Sequence, residues 1–242
     1  MESEITATET ANFIVRPFCR KDREAVRWVC CQTGFLGNPV DPLFEDRELF
    51  ADYLTRYYTD VEPESAFVLE QDRQVRGYIL GCRFQKKQKR FDCFQNISLF
   101  ARGVWRYFFR YNEASKKFVR WILTQGRKQI PHTPPNMAHF HINLLPEYRK
   151  VAHTRALIDR LLQWFVQAGE KHVYGQVIVF ENRRGARMFA RYGFKVVDEV
   201  EVTKYRDLTP KPVYLFTVVK DLQKNAQLYG HDLWKENQDG CS

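Results

Sequence analysis

The stretch "LPEYRKVAHTRALIDRLLQWF" (145–165) reads as the end of a strand, a short loop and an amphipathic helix. Just before it, "AHFHINLL" (138–145) alternates as a strand does. The helix is expected over 154–168, where Leu157, Leu161 and Phe165 fall on one face and Gly169 stops it. "HVYGQVIVF" (172–180) then supplies another strand. Strand, loop, helix and strand make a crossover unit, and its loop lies at the carboxyl end of a strand, where open sheets bind ligands. A loop opening a helix in that place suits a phosphate, because the first helical N–H groups lack partners and the helix dipole favours negative charge. Yet no glycine lies between Tyr148 and Leu157, although a backbone that closely approaches a phosphate usually needs one.

The rest of the chain can be read outward from this unit. "NFIVRPF" (12–18) is a strand, and "KDREAVRWVCCQT" (21–33) is a helix stopped by Gly34. "DPLFEDRELFADYLTRYYTD" (41–60) has a second helical pattern, and "SAFVLEQDRQVRGYILGCRF" (65–84) is a hairpin turning near Gln71, Asp72 and Arg73. After the unit come a helix, "NRRGARMFARYG" (182–193), capped by Asn182, and the strands "FKVVDEVEVTKY" (194–205) and "VYLFTVVK" (213–220). The order predicts an α+β, or mixed α/β, single domain over 1–242. Its core is expected over about 13–84 and 137–220, with a helical insertion over about 85–136 and a polar tail over about 221–242.

Of the 242 residues 44% are hydrophobic and 28% charged, the balance of a soluble globular protein large enough to need no staples. The six cysteines form no C-x-x-C pair, so reduced, mostly buried thiols are expected. The histidines form no H-x-x-x-H pair, and no metal site is expected. "MESEITATET" lacks the features of a signal peptide and no apolar run could span a bilayer, which together predict a cytoplasmic protein. The net charge of +9 is uneven. Residues 85–128 hold twelve Lys and Arg against Asp92 and Glu113, a local +10 that leaves −1 for the rest.

Element order and two motifs together resemble the GNAT superfamily of acyl-CoA-dependent N-acyltransferases. The family's first motif, Q/R-x-x-G-x-G/A between a strand and a helix, falls on "EYRKVAHTRALIDRLL" (147–162), with Arg149 first, Ala152 at one glycine and Thr154 at the next. The second motif falls on Asn182, Phe189, Gly193 and Phe194, and "IVRPFCRKDREAV" (14–26) looks like the family's opening strand and helix. The context "HINLLPEYR" (141–149) is also similar to a subgroup that includes the acetyltransferase-like domain attached to some O-GlcNAc hydrolases. The resemblance implies a central, mostly antiparallel sheet with a splayed parallel strand pair, flanked by helices. It also implies acetyl-CoA as co-substrate, held by Leu144, Leu145, Arg149, Lys150, Val151, Ala152, His153, Thr154, Arg155, Asn182 and Phe189. An amine-bearing small molecule or a protein would be the acceptor.

Within that frame, Ala152 adds one methyl where glycine is usual, and Thr154 would be strained by about 1–2 kcal/mol at positive φ. Thr154 is also a good helix cap, and Arg149, Lys150, His153 and Arg155 surround the loop with positive charge. Acyl transfer needs a base for the ammonium and an acid for the departing thiolate. Strand alternation puts His139, His141 and Asn143 on one face, with His141 the preferred base and Glu147 a weaker one. The family's usual acid is a Tyr where Phe189 stands, and Tyr192, three residues on, is the candidate substitute. The same histidines also fit a satisfied structural role, and Tyr192 a core one. A non-catalytic domain of the same fold is the alternative.

The insertion carries Arg102, Arg106 and Arg110 at steps of four beside Phe100, Val104, Phe108 and Tyr111, and a shorter helix follows with Phe118, Trp121 and Ile122. This basic aromatic segment (97–122) could cover the acceptor site, lie on an anionic membrane, bind nucleic acid or simply cap the sheet. It contains no recognised nucleic-acid reading motif, so no specific nucleic-acid partner is expected. The loop "TGFLGNPVDPLF" (33–44) is expected, with the insertion, to wall the acceptor site.

Overall fold

A computed structural model describes residues 13–180 and 189–223. Seven strands form one sheet: β1 (Phe13–Pro17), β2 (Ala66–Gln71), β3 (Gln74–Cys82), β4 (Ala138–Leu144), β5 (His172–Val179), β6 (Lys195–Glu201) and β7 (Tyr214–Asp221). Their order is β1-β2-β3-β4-β5-β7-β6. Every neighbouring pair is antiparallel except β4 and β5, whose parallel register covers only Ala138–Phe140 against Val173–Gly175. Beyond it the two strands part. β4 stays paired to β3 as far as Leu144, and β5 to β7 as far as Val179. The β2–β3 turn falls where expected, with Asp72 and Arg73 both at positive φ (54° and 58°), the conformation that follows strand twist in a two-residue hairpin.

Helices cover both faces of the sheet. On one lie α1 (Arg23–Thr33), α2 (Arg47–Asp60) and α4 (Glu113–Thr124), with α3 (Gln85–Phe109) outside α2. On the other lies α5 (Val151–Gln167), whose Leu157, Ile158, Leu161, Leu162 and Phe165 are fully buried against Phe67, Ile79 and Phe140. Each such side chain contributes about 1.5–3 kcal/mol by leaving water, so α5 holds the loop before it on a rigid base. Strand alternation sorts the sheet residues, with Ala66 and Val68 in the α1–α2 core and Phe67 and Leu69 in the α5 core.

Several boundaries differ from the sequence reading. α2 begins at Arg47, because the Asp46 side chain accepts the Leu49 N–H (3.0 Å) and caps it there. α5 begins at Val151, with Lys150 at the N-cap position, so Thr154 lies inside the first turn and its N–H donates to Lys150 O (3.1 Å). Thr154 is therefore not the cap. α3 begins at Gln85 and runs through a polar stretch, held by side chains, before it reaches the aromatic segment at 97. Gln88 donates to Tyr58 OH (3.0 Å) and Gln95 to Asp52 O (3.0 Å). The helix expected from Asn182 lies largely outside the described residues. Its end is seen, with Gly193 at φ 77°, a turn that glycine makes without Cβ strain. Cys19 is disulfide-bonded, which corrects the expectation of reduced thiols throughout. Cys30, Cys31 and Cys82 are buried free thiols.

Two arginines of α3, Arg102 and Arg106, are engaged with acids of a neighbouring element. Arg102 pairs with Asp52 (2.9 Å) and Arg106 with Asp46, while Tyr111, grouped by spacing with Phe100, Val104 and Phe108, is buried and donates to Asp46 (2.6 Å). Burial would raise the Asp46 pKa, but hydrogen bonds from Arg106, Tyr111 and the Leu49 N–H outweigh it and leave the carboxyl below its ordinary value. Two arginines one helical turn apart thus clip α3 to the acids that flank and line α2.

Candidate functional site

β4 ends at Leu144, a 3-10 turn covers Pro146–Tyr148, and α5 opens at Val151. Among the described residues no side chain caps that end. The N–H groups of Val151, Ala152 and His153 precede the first that an α-helix can pair internally, so they face outward as donors at the positive end of a 17-residue helix. Val151 and Ala152 are exposed, and so is Lys150 beside them. Arg155, one turn on, pairs with Asp159 (3.3 Å) at a mostly exposed position.

The missing glycines carry no strain here. Ala152 and Thr154 have ordinary helical backbone, since the non-glycine residues at positive φ are Leu36, Asp72, Arg73 and Asn136 among those described. Thr154 is buried within the first turn and His153 is packed, its Nδ1 3.0 Å from Tyr148 O and its ring edge-on to Phe13 (4.3 Å). An anion at this site would therefore meet backbone N–H groups and Lys150 before the His153 ring.

Arg149 points elsewhere. Its Nε donates to Leu144 O (3.0 Å) and its Nη2 to Gly37 O, tying the end of β4 to the loop between α1 and α2. Burial lowers its pKa without discharging it. Gly37 has φ 89°, a turn that favours glycine, and a Cβ there would stand 2.5 Å from Arg149 Nη1 and push the guanidinium aside. Leu144 and Leu145 are buried, and the Leu145 N–H donates to Arg76 O (3.0 Å).

His139, His141 and Asn143 share one face of β4 as alternation predicted, and that face is turned toward α1 and α2. His139 is buried, with Nε2 3.2 Å from Tyr58 OH and its ring stacked on Tyr174 (5.0 Å). Its Nδ1 has no hydrogen-bond partner among the described residues. Burial lowers its pKa to about 3, helped by His141 and Lys89, and burial alone lowers His141 to about 4. Both imidazoles are therefore neutral at pH 7. Asn143 donates to Tyr78 OH (2.7 Å). His141 and Gln176 are the first residues past the parallel register, at the point where the strands part, and the Gln176 amide nitrogen is buried without a partner among the described residues.

The other expected residues lie across the sheet. Phe189 is buried in the α5 core between Phe140 (6.3 Å) and Phe194 (5.6 Å). Tyr192 packs at the edge of that core, its hydroxyl 3.5 Å from Val151 O at the start of α5. Tyr192 is thus grouped with the phosphate-type end of the site, not with His139 and His141. Asn182 lies outside the described residues. On the α1 side a cavity of about 510 Å³ is lined by Trp28, Gln32, Pro39, Arg76, Leu145, Pro146, Glu147 and Tyr148. Arg76 lies over the Tyr148 ring (5.3 Å), and its Nε has no partner among the described residues. Sequence reading missed Arg76, whose only signal is an arginine in an otherwise apolar strand. Among the described residues no cluster of His, Cys, Asp or Glu could hold a metal ion, and no helix is long and apolar enough to cross a membrane.

Neither a protein-family model nor a curated protein matches the chain. Solved structures do. The chain is similar to SsHAT at 25% identity, with a TM-score of 0.53 over 87% of this chain and 98% of that one. It is similar to an N-acetyltransferase from Staphylococcus aureus Mu50 at 13% identity, with a TM-score of 0.51 over 87% and 99%. The polyamine N-acetyltransferase of Drosophila melanogaster aligns at 12% identity and a TM-score of 0.50, over 87% and 100%. The last two show a shared fold alone.

Proposed function

We propose, from the premise that the chain has the GNAT superfamily fold, that it is an acyl-CoA-dependent N-acyltransferase moving an acetyl group to an amine. The observation that carries this reading is the uncapped start of α5 at the carboxyl end of β4, beside the point where β4 and β5 part. The N–H groups of Val151, Ala152 and His153 would hold the pyrophosphate of acetyl-CoA, with Lys150 and Arg155 adding charge. Bound acetyl-CoA supplies an activated thioester carbonyl.

The amine nitrogen forms the new C–N bond, the C–S bond breaks, and the proton lost by nitrogen balances the one gained by sulfur. His141, neutral and first past the paired register, accepts a hydrogen bond from the amine and holds its lone pair toward the carbonyl. With a pKa of about 4 it is a weak proton acceptor, so solvent takes the proton in the end. A thiol pKa near 8.5 lets thiolate leave without a dedicated acid. The acceptor, a small molecule or a protein amine, enters from the α1 side, where Arg76 and Glu147 line the cavity.

A non-catalytic domain is the second reading, favoured by the buried Phe189, which offers no proton where the family's acid commonly stands. Calorimetry with acetyl-CoA, followed by thiol release over a panel of amines, separates the two. The enzyme reading expects heat on binding and amine-dependent thiol release. Binding without release for any amine supports the second reading, and no heat or thermal shift at millimolar acetyl-CoA defeats the first.

A further inference from the structure

The outer face of α3 carries Phe94, Ile97, Val104, Trp105 and Phe108 at exposures of 70, 65, 39, 54 and 69%. At about 100° per residue they lie opposite Gln95, Leu99 and Arg102, which are buried or paired toward α2. The same outer face begins with exposed Lys86, Lys87 and Arg90, and at its far end Arg110 lies over Trp105 (5.3 Å). None of these four cations has a carboxylate partner among the described residues. Asp92, the one acid of α3, falls on the inner side, and Glu113 of α4 is engaged with Lys116 (3.2 Å).

Large apolar side chains in a row are seldom left in water on a lone chain. This row is a ridge about 21 Å long at 1.5 Å per residue, standing outside α2. A second copy is a poor cover for it, because pairing would bring Lys86, Lys87, Arg90 and Arg110 of one chain against the same four cations of the other. An anionic bilayer meets both features at once. Its headgroups neutralise the cations, and a ridge needs no matching groove in a soft surface.

We infer that α3 docks the protein on an anionic lipid surface, lying in the interface plane. Phe94, Ile97, Val104, Trp105 and Phe108 enter the boundary of the acyl chains. Lys86, Lys87, Arg90 and Arg110 stay at the headgroups. Arg102 and Arg106 take no part, being spent on Asp52 and Asp46.

The test is co-sedimentation of the full chain with phosphatidylcholine vesicles, with and without phosphatidylserine, over a range of salt. Pelleting is expected only with phosphatidylserine, and it should weaken as salt rises. Phe108→Glu should weaken it about tenfold or more, and Lys86→Glu with Arg90→Glu about fivefold per cation removed. All three sites are exposed, so melting curves should match wild type. If Phe108→Glu does lower the melting temperature, the charge pair alone decides. No pelleting with either vesicle, or equal pelleting with both, overturns the inference. So does self-association that Phe108→Glu abolishes in the absence of vesicle binding. Acetyl-CoA plays no part in this readout, which stands or falls apart from the proposed activity.

Discussion

Val151→Pro tests the role of the α5 N-terminus with little disturbance to anything else. Val151 is the first residue of the helix and 69% exposed, so its side chain contributes little packing. Proline is well tolerated at that position, because the N–H it lacks is one the helix cannot pair. The preceding residue must be extended, and Lys150 already is, at φ −88° and ψ 150°. The substitution therefore deletes one outward donor and leaves the helix in place. A hydrogen bond to a charged group is worth about 1.5–3 kcal/mol, so acetyl-CoA should bind about 10- to 150-fold more weakly. Thermal stability should hold within about 0.5 kcal/mol or rise slightly. Ala152→Gly is the matched control. It keeps its N–H, and because residue 152 is not at positive φ, affinity should change by less than about twofold. Calorimetry beside melting curves reads both variants. Wild-type affinity in a folded Val151→Pro protein would refute pyrophosphate binding at this helix end.

Other outcomes follow from the same geometry. Asp46→Asn weakens the acceptor shared by Arg106, Tyr111 and the Leu49 N–H, and should cost about 2–4 kcal/mol in chemical denaturation; a loss below about 0.5 kcal/mol would show that α3 is held otherwise. His139 and His141 have folded pKa values near 3 and 4 against 6.5. The unfolded chain therefore binds more protons between these limits, and stability should rise from about pH 4 to pH 6.5 and level off above. His141→Gln should flatten that slope, and a melting temperature that is flat across the window would contradict neutral imidazoles. Tyr192→Phe should leave kcat within about threefold, because its hydroxyl lies by Val151 and not with His141; a drop of about 10²-fold or more would restore it as general acid.

What could be read in the sequence was what local periodicity carries. The alternation of β4 correctly put His139 and His141 on one face and Phe140 on the other, and the crossover unit placed the candidate phosphate loop. The features that escaped depend on contacts distant in the chain. Arg149 looks like a phosphate ligand until Gly37, 112 positions away, is seen to take its guanidinium. The first half of α3, "QKKQKRFDCFQN" (85–96), has no strong apolar period, and its helix is set by Gln88 and Gln95 bonding to α2. The role of Arg102 and Arg106 stayed open in the sequence because their partners, Asp52 and Asp46, belong to another element. The place of the α5 start was misjudged for a different reason. Thr154 is a better cap than Lys150 by propensity, but the turn at Pro146–Tyr148 sets where the helix can begin.

The early parting of β4 from β5 gives this sheet an edge in its middle. Past Phe140 and Gly175, each strand is bonded on its outer side only, to β3 or to β7. Exposed edges usually invite another chain and with it aggregation. Here the neighbouring strands stand on either side, and the run left unmatched on each strand is four residues, 141–144 and 176–179. At about 3.3 Å per residue that is about 13 Å of backbone. Under the proposed function, a gap of that length would discriminate by shape before any chemistry began. It would favour a slender molecule that carries its own amide groups along its length over a compact one.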